Sequence, residues 1–383
     1  MGNKPLIYII AGEASGDALG ARLMRGVHLQ SDVEFAGIGG ELMCAEGLKS
    51  LFPMQELSVM GLMEIIPHLR NILKRVSETV SHVEQLKPDM IITIDSPGFA
   101  HAFIKKLKSH DIPRVHYVAP TVWAWKPKRV HKFKRHFDML LTLLPFEPPY
   151  FEAVGLKSQF VGHSVLESGA DQGDGVRFRK DLEIPSDQLC LCLLPGSRKG
   201  EVSRHMEIFK DSVRALQQKQ GKDIYTIIPT LPHLLGLLEP FMQDWPGPYH
   251  LLSDQSKKFD AMAACDIALA ASGTVALELA MAKLPCVVAY RINPLTAAIA
   301  KRMIKVNYVH LLNILENKAI VPERLMKDCR ADILAEDLNE LLGDAGRAQI
   351  NELQTALDKL KPISGEPPSF VAAREILKLL SCK

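Results

Sequence analysis

The chain has 383 residues, which is enough for about two domains of ordinary size. Apolar residues make up 47% of it, and 46 Lys and Arg nearly balance 44 Asp and Glu. The apolar share predicts full hydrophobic cores, and the charge balance argues against a general nucleic-acid-binding protein.

The N-terminus and the cysteines favour a cytoplasmic protein without membrane-spanning helices. The first apolar run is about eight residues long and meets Glu13 without a small-residue cleavage site, so we expect no signal peptide. No apolar stretch approaches the roughly 18 residues of a membrane span. The seven cysteines include no C-x-x-C pair, which favours reduced core thiols over disulfides or a zinc site.

Short β-branched runs alternate with amphipathic stretches along the chain. Continuously apolar strands that alternate with helices predict parallel sheets covered on both faces. The predicted strands lie at residues 5–11, 33–38, 89–95, 114–119, 138–144 and 158–161 in the first half, and at 189–194, 224–228, 249–252, 266–271 and 285–290 in the second.

The two sets of strands predict two doubly wound α/β domains. The stretch GHSVLESGADQGDG at 162–175 separates them and, with four glycines and few apolar residues, is typical of a linker. We therefore expect an N-terminal domain at 1–165, a C-terminal domain at 175–330 and a helical tail at 331–383. Ligands of open parallel sheets bind beyond the carboxyl ends of the strands, so residues just after strands are the candidates for a site.

The first strand ends in the turn AGEASGD, which does not have the spacing of a dinucleotide-binding loop. Gly12, Gly16 and Gly20 are spaced G-x-x-x-G-x-x-x-G rather than G-x-G-x-x-G. Glu13 and Asp17 add carboxylates, which disfavour a pyrophosphate. Something other than a dinucleotide is therefore expected on this turn.

The segment 59–76 has a helical apolar stripe, formed by residues 62, 65, 66, 69, 72, 73 and 76. Two interpretations are open. The stripe belongs either to a hydrophobic core or to an amphipathic element that enters a membrane interface or takes up acyl chains.

Asp95 ends the strand in DMIITIDSPGFA and also has two interpretations. An Asp before Ser-Pro makes a good helix N-cap. A carboxylate at a strand end that faces a cleft is equally what a general base requires.

The segment 117–135 places Trp123 and Trp125 beside a basic run. Residues 126–135 contain six Lys or Arg and no acidic residue. A charge run usually means a solvated helix face, but the two tryptophans favour a surface for anionic lipid headgroups.

The turn LLPGSRKGEV follows a strand and opens a helix. Gly196 and Ser197 allow a tight turn with exposed N–H groups, and Arg198 adds a fork of donors. These features suit a diphosphate at a helix N-terminus, although an ordinary βα loop with a solvated arginine has the same pattern.

The turn LAASGTVALE repeats this geometry. Ser272, Gly273 and Thr274 follow a strand and open a helix, and Glu278 lies four residues after Thr274 on the same helix face. A hydroxyl there can hold a phosphate, and the carboxylate can accept hydrogen bonds from two ribose hydroxyls. The alternative is a helix cap with a surface glutamate.

Six motifs, in order, resemble those of the lipid-A-disaccharide synthase family over nearly the whole chain: AGEASGD, GIGG, LSVMGLMEIIPHL, YVAPTVWAW, LLPGSR and LAASGTVALE. The resemblance implies the GT-B fold, in which two Rossmann-like domains face each other across a cleft. It implies a hexosyltransferase that joins UDP-2,3-diacylglucosamine to 2,3-diacylglucosamine 1-phosphate (lipid X). The products are lipid A disaccharide 1-phosphate and UDP.

The resemblance also implies the enzyme's surroundings. It implies a protein of the cytoplasm that associates peripherally with the cytoplasmic face of the inner membrane, and a homodimer that exchanges its helical C-terminal segments. No cofactor and no metal are expected, because GT-B sites commonly work without one and no acidic D-x-D cluster is evident. The alternatives are a UDP-sugar 2-epimerase and a glycosyltransferase with a non-lipid acceptor.

Four residues match functional positions of the family. Asp95 matches the catalytic aspartate of its D-x-P motif, Arg198 the nucleotide-binding arginine of G-S-R, and Glu278 the acidic residue after S-G-T. Asn313 matches the asparagine of its L-P-N segment.

The chain departs from the family pattern at four positions. Leu312 replaces the usual proline before Asn313, and Met326 stands where the family often has glutamine. Gly98 and Ala100 stand where polar residues are common.

The resemblance implies that the first turn binds the acceptor sugar, because the nucleotide belongs to the second domain. Ser15 and Gly16 let a sugar approach the backbone, and Glu13 and Asp17 bind or orient its hydroxyls. An α-linked donor and a β-linked product imply one inverting displacement, in which Asp95 takes the proton of the acceptor 6-hydroxyl. Arg198 and two helix N-termini would stabilise the charge on the leaving UDP.

Overall fold

The computed structural model describes residues 4–57, 62–108, 111–271, 275–292 and 306–381. The chain folds as two compact units. Unit 1 comprises Met1–Ser164 with Leu360–Lys383, and unit 2 comprises Val165–Lys359.

Unit 1 is built on a parallel sheet, as its continuously apolar strands predict. Its strands are β1 Leu6–Ala11, β2 Glu34–Ile38, β3 Met90–Ile94, β4 Arg114–Tyr117, β5 Met139–Thr142 and β6 Lys157–Phe160. The order in the sheet is β2-β1-β3-β4-β5-β6. Its helices are α1 Ala14–His28, α2 Glu41–Ala45, α3 Leu62–Leu86, α4 Pro97–Lys106, α5 Arg129–His136 and α6 Pro148–Glu152, with the C-terminal α15 at Pro368–Ser381.

Unit 2 repeats this architecture. Its strands are β7 Cys190–Leu194, β8 Tyr225–Pro229, β9 Tyr249–Leu252, β10 Ile267–Ala270, β11 Cys286–Tyr290 and β12 Glu323–Leu325. The sheet order is β12-β11-β10-β7-β8-β9. Its helices are α7 Gly175–Asp181, α8 Lys199–Gln220, α9 Leu235–Met242, α10 Lys258–Ala263, α11 Val275–Met281, α12 Leu311–Glu316, α13 Ala331–Leu341 and α14 Asp344–Asp358.

Every predicted strand is present, and its observed bounds differ from the predicted ones by about two residues at most. β12 is an addition. It has three residues, Glu323–Leu325, of which two are charged, and it forms by pairing in parallel with β11. Such a short polar strand has no apolar run of its own, so its pattern does not distinguish it from a loop.

Each sheet has a point where the strand order reverses. β1 lies between β2 and β3, and β7 lies between β8 and β10. The register sets Ala11 of β1 beside Ile94 of β3, and Leu194 of β7 beside Ala270 of β10. Ligands of open parallel sheets bind at such switch points. The sheet order therefore brings the turns after β1 and β3 together in unit 1, and it sets the carboxyl ends of β7 and β10 side by side in unit 2.

The C-terminal helix α15 packs against α1 in unit 1. A Cβ atom on Gly26 of α1 would lie 2.9 Å from the carbonyl oxygen of Ser369, so the two helices approach closely. The side chain of Gln30 donates to the carbonyl oxygen of Phe370 at 3.1 Å. Four apolar residues of α15 are buried in the core of unit 1: Val371, Ala372, Ala373 and Ile376.

The helical segment expected at 331–383 is thus shared between the units. α13 and α14 belong to unit 2, and α15 belongs to unit 1. Within the described residues, no helix is both long enough and apolar enough to cross a membrane.

The close approach of α1 and α15 predicts a large effect of a small substitution. Gly26→Val should destabilise unit 1 by about 1–3 kcal/mol, because the new side chain must displace the backbone of α15. Gly236→Val is the matched control, since a Cβ atom at this α9 position meets no atom within 4 Å. Thermal denaturation measures both. A Gly26→Val protein that melts with the wild type would contradict the tight packing.

Candidate active site

The turn after β1 meets the turn after β3 at the switch point of unit 1. A Cβ atom on Gly12 would lie 2.5 Å from the Oγ of Ser96, so only glycine fits here without a shift. Glu13 occupies the N-cap position of α1 and is half-buried, and Ser15 in the first turn is exposed. Gly16 is buried against the ends of β1 and β3. The structure thus brings Glu13, Ser15 and Gly16 to the strand end that bears Asp95.

The side chain of Asp17 is buried, and its carboxylate accepts hydrogen bonds from backbone N–H groups. Its Oδ1 accepts hydrogen bonds from the N–H groups of Gly40 at 2.8 Å and Met43 at 3.0 Å, and its Oδ2 accepts from that of Leu42 at 3.0 Å. These N–H groups belong to the start of α2, which lacks intrahelical acceptors for them. The Asp17 carboxylate therefore shapes the GIGG turn after β2.

Asp95 lies directly after β3 in an unusual backbone conformation. Its φ is +50° and that of Ser96 is +41°, so two successive residues other than glycine occupy the left-handed region. Such conformations cost of order 1–3 kcal/mol each and cluster at functional sites. Ser96, rather than Asp95, occupies the N-cap position of α4 and makes no side-chain cap hydrogen bond. The geometry therefore does not support Asp95 as a helix cap.

The carboxylate of Asp95 is partly desolvated. Its Oδ1 accepts a hydrogen bond from the backbone N–H of Ser96 at 2.9 Å. Burial raises the pKa of Asp95 above its ordinary value, and the Ser96 hydrogen bond offsets part of that rise. A carboxylate with a raised pKa is a stronger base.

The turn after β7 carries the predicted diphosphate residues. Gly196 has a φ of +124°, a region that favours glycine, and Ser197 and Arg198 are exposed. Arg198 occupies the N-cap position of α8, so the N–H groups of the first helical turn point toward this loop. Its Nη1 lies 3.1 Å from Oε1 of Glu201. The switch point of unit 2 thus combines a helix N-terminus with a guanidinium group.

Glu278 lies on α11 and is half-buried. Its carboxylate forms an ion pair with the ammonium group of Lys258 on α10. Sequence reasoning missed Lys258, because a lone lysine on a short helix has no distinguishing pattern. Ser272, Gly273 and Thr274 lie outside the described residues.

Asn313 is fully buried on α12, where its amide organises the chain that leads into β12. Its Nδ2 donates to the carbonyl oxygen of Val321 and to Oε1 of Glu323, both at 2.8 Å. Its Oδ1 accepts from the backbone N–H groups of Ile320 at 3.0 Å and Val321 at 2.9 Å. Asn313 therefore stabilises the chain segment before β12 in unit 2.

A buried glutamate that sequence reasoning missed lies beyond β5. Glu147 accepts hydrogen bonds from the indole N–H of Trp123 at 3.2 Å and from the backbone N–H of Leu144 at 3.1 Å. Burial raises the pKa of Glu147 to about 7. Trp123 also packs edge-to-face on Phe146, with ring centroids 5.3 Å apart. Trp123 is thus anchored to the end of β5.

Trp125 has different surroundings. The ammonium nitrogen of Lys126 lies 4.4 Å from the centroid of its ring, and the guanidinium carbon of Arg129 lies 5.6 Å from it. These are cation–π distances. The predicted aromatic-basic surface therefore consists of Trp125 with its cationic neighbours, whereas Trp123 is tied to Glu147.

The structure describes only the C-terminal part of the apolar stripe predicted at 59–76, which lies on α3. Residues 59–61 and the side chains of 62–69 lie outside what the structure describes. Farther along the helix, Val76 is fully buried, whereas the side chain of Leu73 is 44% exposed. The described end of the stripe therefore has one side in the core and one side in solvent.

Comparison with known proteins identifies the family. A model of the family described as Lipid-A-disaccharide synthetase matches residues 7–366. The chain belongs to the lipid-A-disaccharide synthase family. The Lipid-A-disaccharide synthase of Gluconobacter oxydans is 45% identical over 98% of this chain and 91% of its own length. The chain is therefore an enzyme, a glycosyltransferase of lipid A biosynthesis, as the motifs predict.

Solved structures show the same fold at much lower identity. The glycotransferase of kitacinnamycin is 15% identical, with a TM-score of 0.65 and 99% of each chain covered. The UDP-GlcNAc 2-epimerase of Neisseria meningitidis, bound to UDP-GlcNAc, is 13% identical, with a TM-score of 0.58 over 100% of each chain. Glycosyltransferases and epimerases share this architecture, and the predicted GT-B fold is confirmed.

Glu147 predicts a pH dependence of stability. Its folded pKa of about 7 lies above the roughly 4.3 of an unfolded glutamate, so the folded state binds more protons between these values. Stability should fall as the pH rises through this window. Gln resembles the protonated glutamate, so Glu147→Gln should gain in melting temperature relative to the wild type between pH 5 and pH 8.

The control for this measurement is Glu152→Gln, which changes an exposed glutamate on the neighbouring α6. Its melting curve should run parallel to that of the wild type across the pH range. If the curve of Glu147→Gln also ran parallel to that of the wild type, the pKa of Glu147 would be the same in the folded and the unfolded state.

Proposed function

We propose that the chain joins UDP-2,3-diacylglucosamine to 2,3-diacylglucosamine 1-phosphate and releases UDP and lipid A disaccharide 1-phosphate. Family membership supports this choice of substrates. The structural observation that supports the proposed reaction is the environment of Asp95. Its carboxylate is partly desolvated and lies in a strained turn at the switch point of unit 1.

The reaction is a single inverting displacement. The 6-hydroxyl oxygen of the acceptor forms a bond to the anomeric carbon of the donor sugar. The bond from that carbon to the diphosphate breaks, and its electron pair leaves with UDP. Asp95 receives the hydroxyl proton, for which its raised pKa suits it.

Unit 1 binds the acceptor. The exposed Ser15 leaves room for a sugar, and Glu13 at the head of α1 is placed to bind its hydroxyls. Gly16 supports this site by letting α1 pack closely on the ends of β1 and β3. Asp17 contributes by shaping the adjoining GIGG turn, because its carboxylate holds backbone N–H groups there.

Unit 2 binds UDP. The diphosphate lies at Gly196, Ser197 and Arg198, where the N-terminus of α8 and the guanidinium stabilise the charge that develops on the leaving group. Glu278 receives the ribose hydroxyls, and Lys258 balances its charge.

Two further groups of residues complete this donor site. Ser272, Gly273 and Thr274, which follow β10 in the sequence, are expected to contribute to it. Asn313 shapes the site from behind, through its hydrogen bonds to the chain before β12. The acceptor site then lies within the predicted domain 1–165, and the donor site lies within the predicted domain 175–330.

The enzyme is a homodimer in this proposal, and its C-terminal segments exchange. α15 carries a buried apolar face that packs on α1. In an exchanged dimer the same contacts would form between subunits, which makes exchange a low-cost route to dimerisation.

Acylated substrates require access to a bilayer, so we place the enzyme in the cytoplasm at the inner-membrane surface. Two features support peripheral binding. Trp125 with Lys126 and Arg129 combines an aromatic ring with cations, and Leu73 exposes an apolar side chain on α3. Aromatic and basic residues together are typical of interfaces with anionic lipids.

The substitution Asp95→Asn tests whether Asp95 is the general base. Turnover of the two lipid substrates should fall by about 10²–10⁴, the usual contribution of a general base. The melting temperature at neutral pH should rise, because a desolvated carboxylate is removed and asparagine tolerates the left-handed region. Since the folded pKa is raised, this gain should vanish as the pH falls toward the unfolded value of about 3.9.

Asp111→Asn, an exposed loop residue of unit 1, is the matched control and should change neither property. Mass analysis of the lipid product measures turnover. An Asp95→Asn enzyme with wild-type turnover would remove the general-base assignment.

Vesicle flotation tests the membrane surface. Trp125→Ala combined with Leu73→Ser should weaken binding to phosphatidylglycerol vesicles, whereas Leu86→Ser at the far end of α3 should not. Salt should release only part of the wild-type protein, because it screens the basic contribution, worth about 1 kcal/mol per residue, but not apolar insertion. Unchanged flotation of the folded double variant would rule out this surface.

A further inference from the structure

A buried glutamate lies behind the diphosphate turn of unit 2. Glu201 is in the first turn of α8, and its Oε2 accepts a hydrogen bond from the backbone N–H of Ser197 at 3.1 Å. Its Oε1 accepts from Nη1 of Arg198 at 3.1 Å and from the hydroxyl of Tyr290 at 3.0 Å. One carboxylate thus joins the turn, the guanidinium and the end of β11.

Gly196 brings the turn onto this carboxylate. A Cβ atom on Gly196 would lie 2.5 Å from the Cβ of Glu201 and 2.7 Å from its Oε2. Any side chain here would push Glu201 away from its donors. The glycine of the G-S-R turn therefore serves the packing of Glu201 as well as the approach of a ligand.

His205, one turn farther along α8, makes a parallel connection. Its Nε2 accepts from the backbone N–H of Arg291 at 2.9 Å, so the proton lies on Nδ1, which is 3.1 Å from the carbonyl oxygen of Pro195. The ring is neutral in this arrangement, because Nε2 accepts a hydrogen bond. Burial lowers the pKa of His205, whereas the Pro195 hydrogen bond acts in the opposite direction. α8 is thereby fixed to the ends of both β7 and β11.

These contacts join strands that are not neighbours. β10 lies between β7 and β11, so the two strand ends are roughly 10 Å apart at ordinary strand spacing. Glu201 and His205 bridge that gap through side chains. The turn that carries Arg198 is therefore held from two sides rather than by its own loop alone.

We propose that Glu201 and Tyr290 are positioning residues of the donor site, which hold Arg198 in the orientation that receives the diphosphate of the UDP-sugar. This inference rests on the proposed role of Arg198. The Arg198 side chain is 59% exposed, and a long exposed side chain loses rotamer freedom when it binds a ligand. The hydrogen bond to Glu201 removes part of that freedom beforehand, and Tyr290 keeps Glu201 in place.

Tyr290→Phe is a cleaner test than a change of Glu201. Glu201→Gln would remove a negative charge near the diphosphate as well as loosen Arg198, and these effects oppose each other. Tyr290→Phe deletes one hydroxyl and leaves every charge in place. Tyr249→Phe, on the exposed start of β9 in the same unit, is the matched control.

The experiment is a double-mutant cycle with UDP, measured by calorimetry on the full chain. Tyr290→Phe should weaken UDP binding about three- to tenfold, the effect of one lost hydrogen bond. In an Arg198→Ala background the same change should have no effect, because the residue acts through Arg198. The KM for the UDP-sugar should rise, and that for the lipid acceptor should stay the same.

Four outcomes overturn the inference, and they are distinguishable. Additive losses, or a Tyr290→Phe protein that binds UDP like the wild type, would reject the positioning role and leave Arg198 as a diphosphate ligand. Unchanged UDP affinity in Arg198→Ala would reject the proposed diphosphate site and the inference with it. Binding of uridine, which lacks the diphosphate, distinguishes a general folding defect from a lost contact to Arg198. If Tyr290→Phe weakened UDP and uridine binding equally, unit 2 would be loosened in general.

Discussion

The pairing of β1 with β3 is the constraint on which the surroundings of Asp95 depend. This pairing sets Ala11 beside Ile94, so the two chain segments leave the sheet side by side. Gly12 then has to fit against Ser96, and the chain after β3 turns through two left-handed residues. Asp95 owes its place, its partial desolvation and its raised pKa to this crowding.

Unit 2 uses the same topology for a different chemical purpose. The chain after β7 leads into a long helix, whose N-terminus favours an anion. The carboxylate beside this turn is occupied by its own contacts: Glu201 is buried and accepts a hydrogen bond from the backbone N–H of Ser197. One architecture thus presents a partly desolvated carboxylate at the switch point of the first unit, and a helix N-terminus with an exposed arginine at that of the second.

The strands and the strand-end residues are predictable because they depend on local pattern. Continuous burial produces apolar runs. Asp95 follows such a run directly, and Arg198 follows one after the short turn at 195–197. β12 depends on its pairing with β11 and has no apolar run. The partners of the site residues depend on contacts between distant segments: Tyr290 lies 89 positions from Glu201, and Glu147 lies 24 from Trp123. Single-sequence periodicity contains no information about such pairs.

The packing of α15 on α1 has a consequence for synthesis on the ribosome. The backbone beside Gly26 meets Ser369, so unit 1 cannot bury this face until nearly the whole chain has emerged. Domains generally fold as units and in order of synthesis. Here the segment that forms unit 2 is made while unit 1 still lacks α15 on the face of α1 that it covers. Unit 1 therefore reaches its final packing only after the segment of unit 2 has been synthesised.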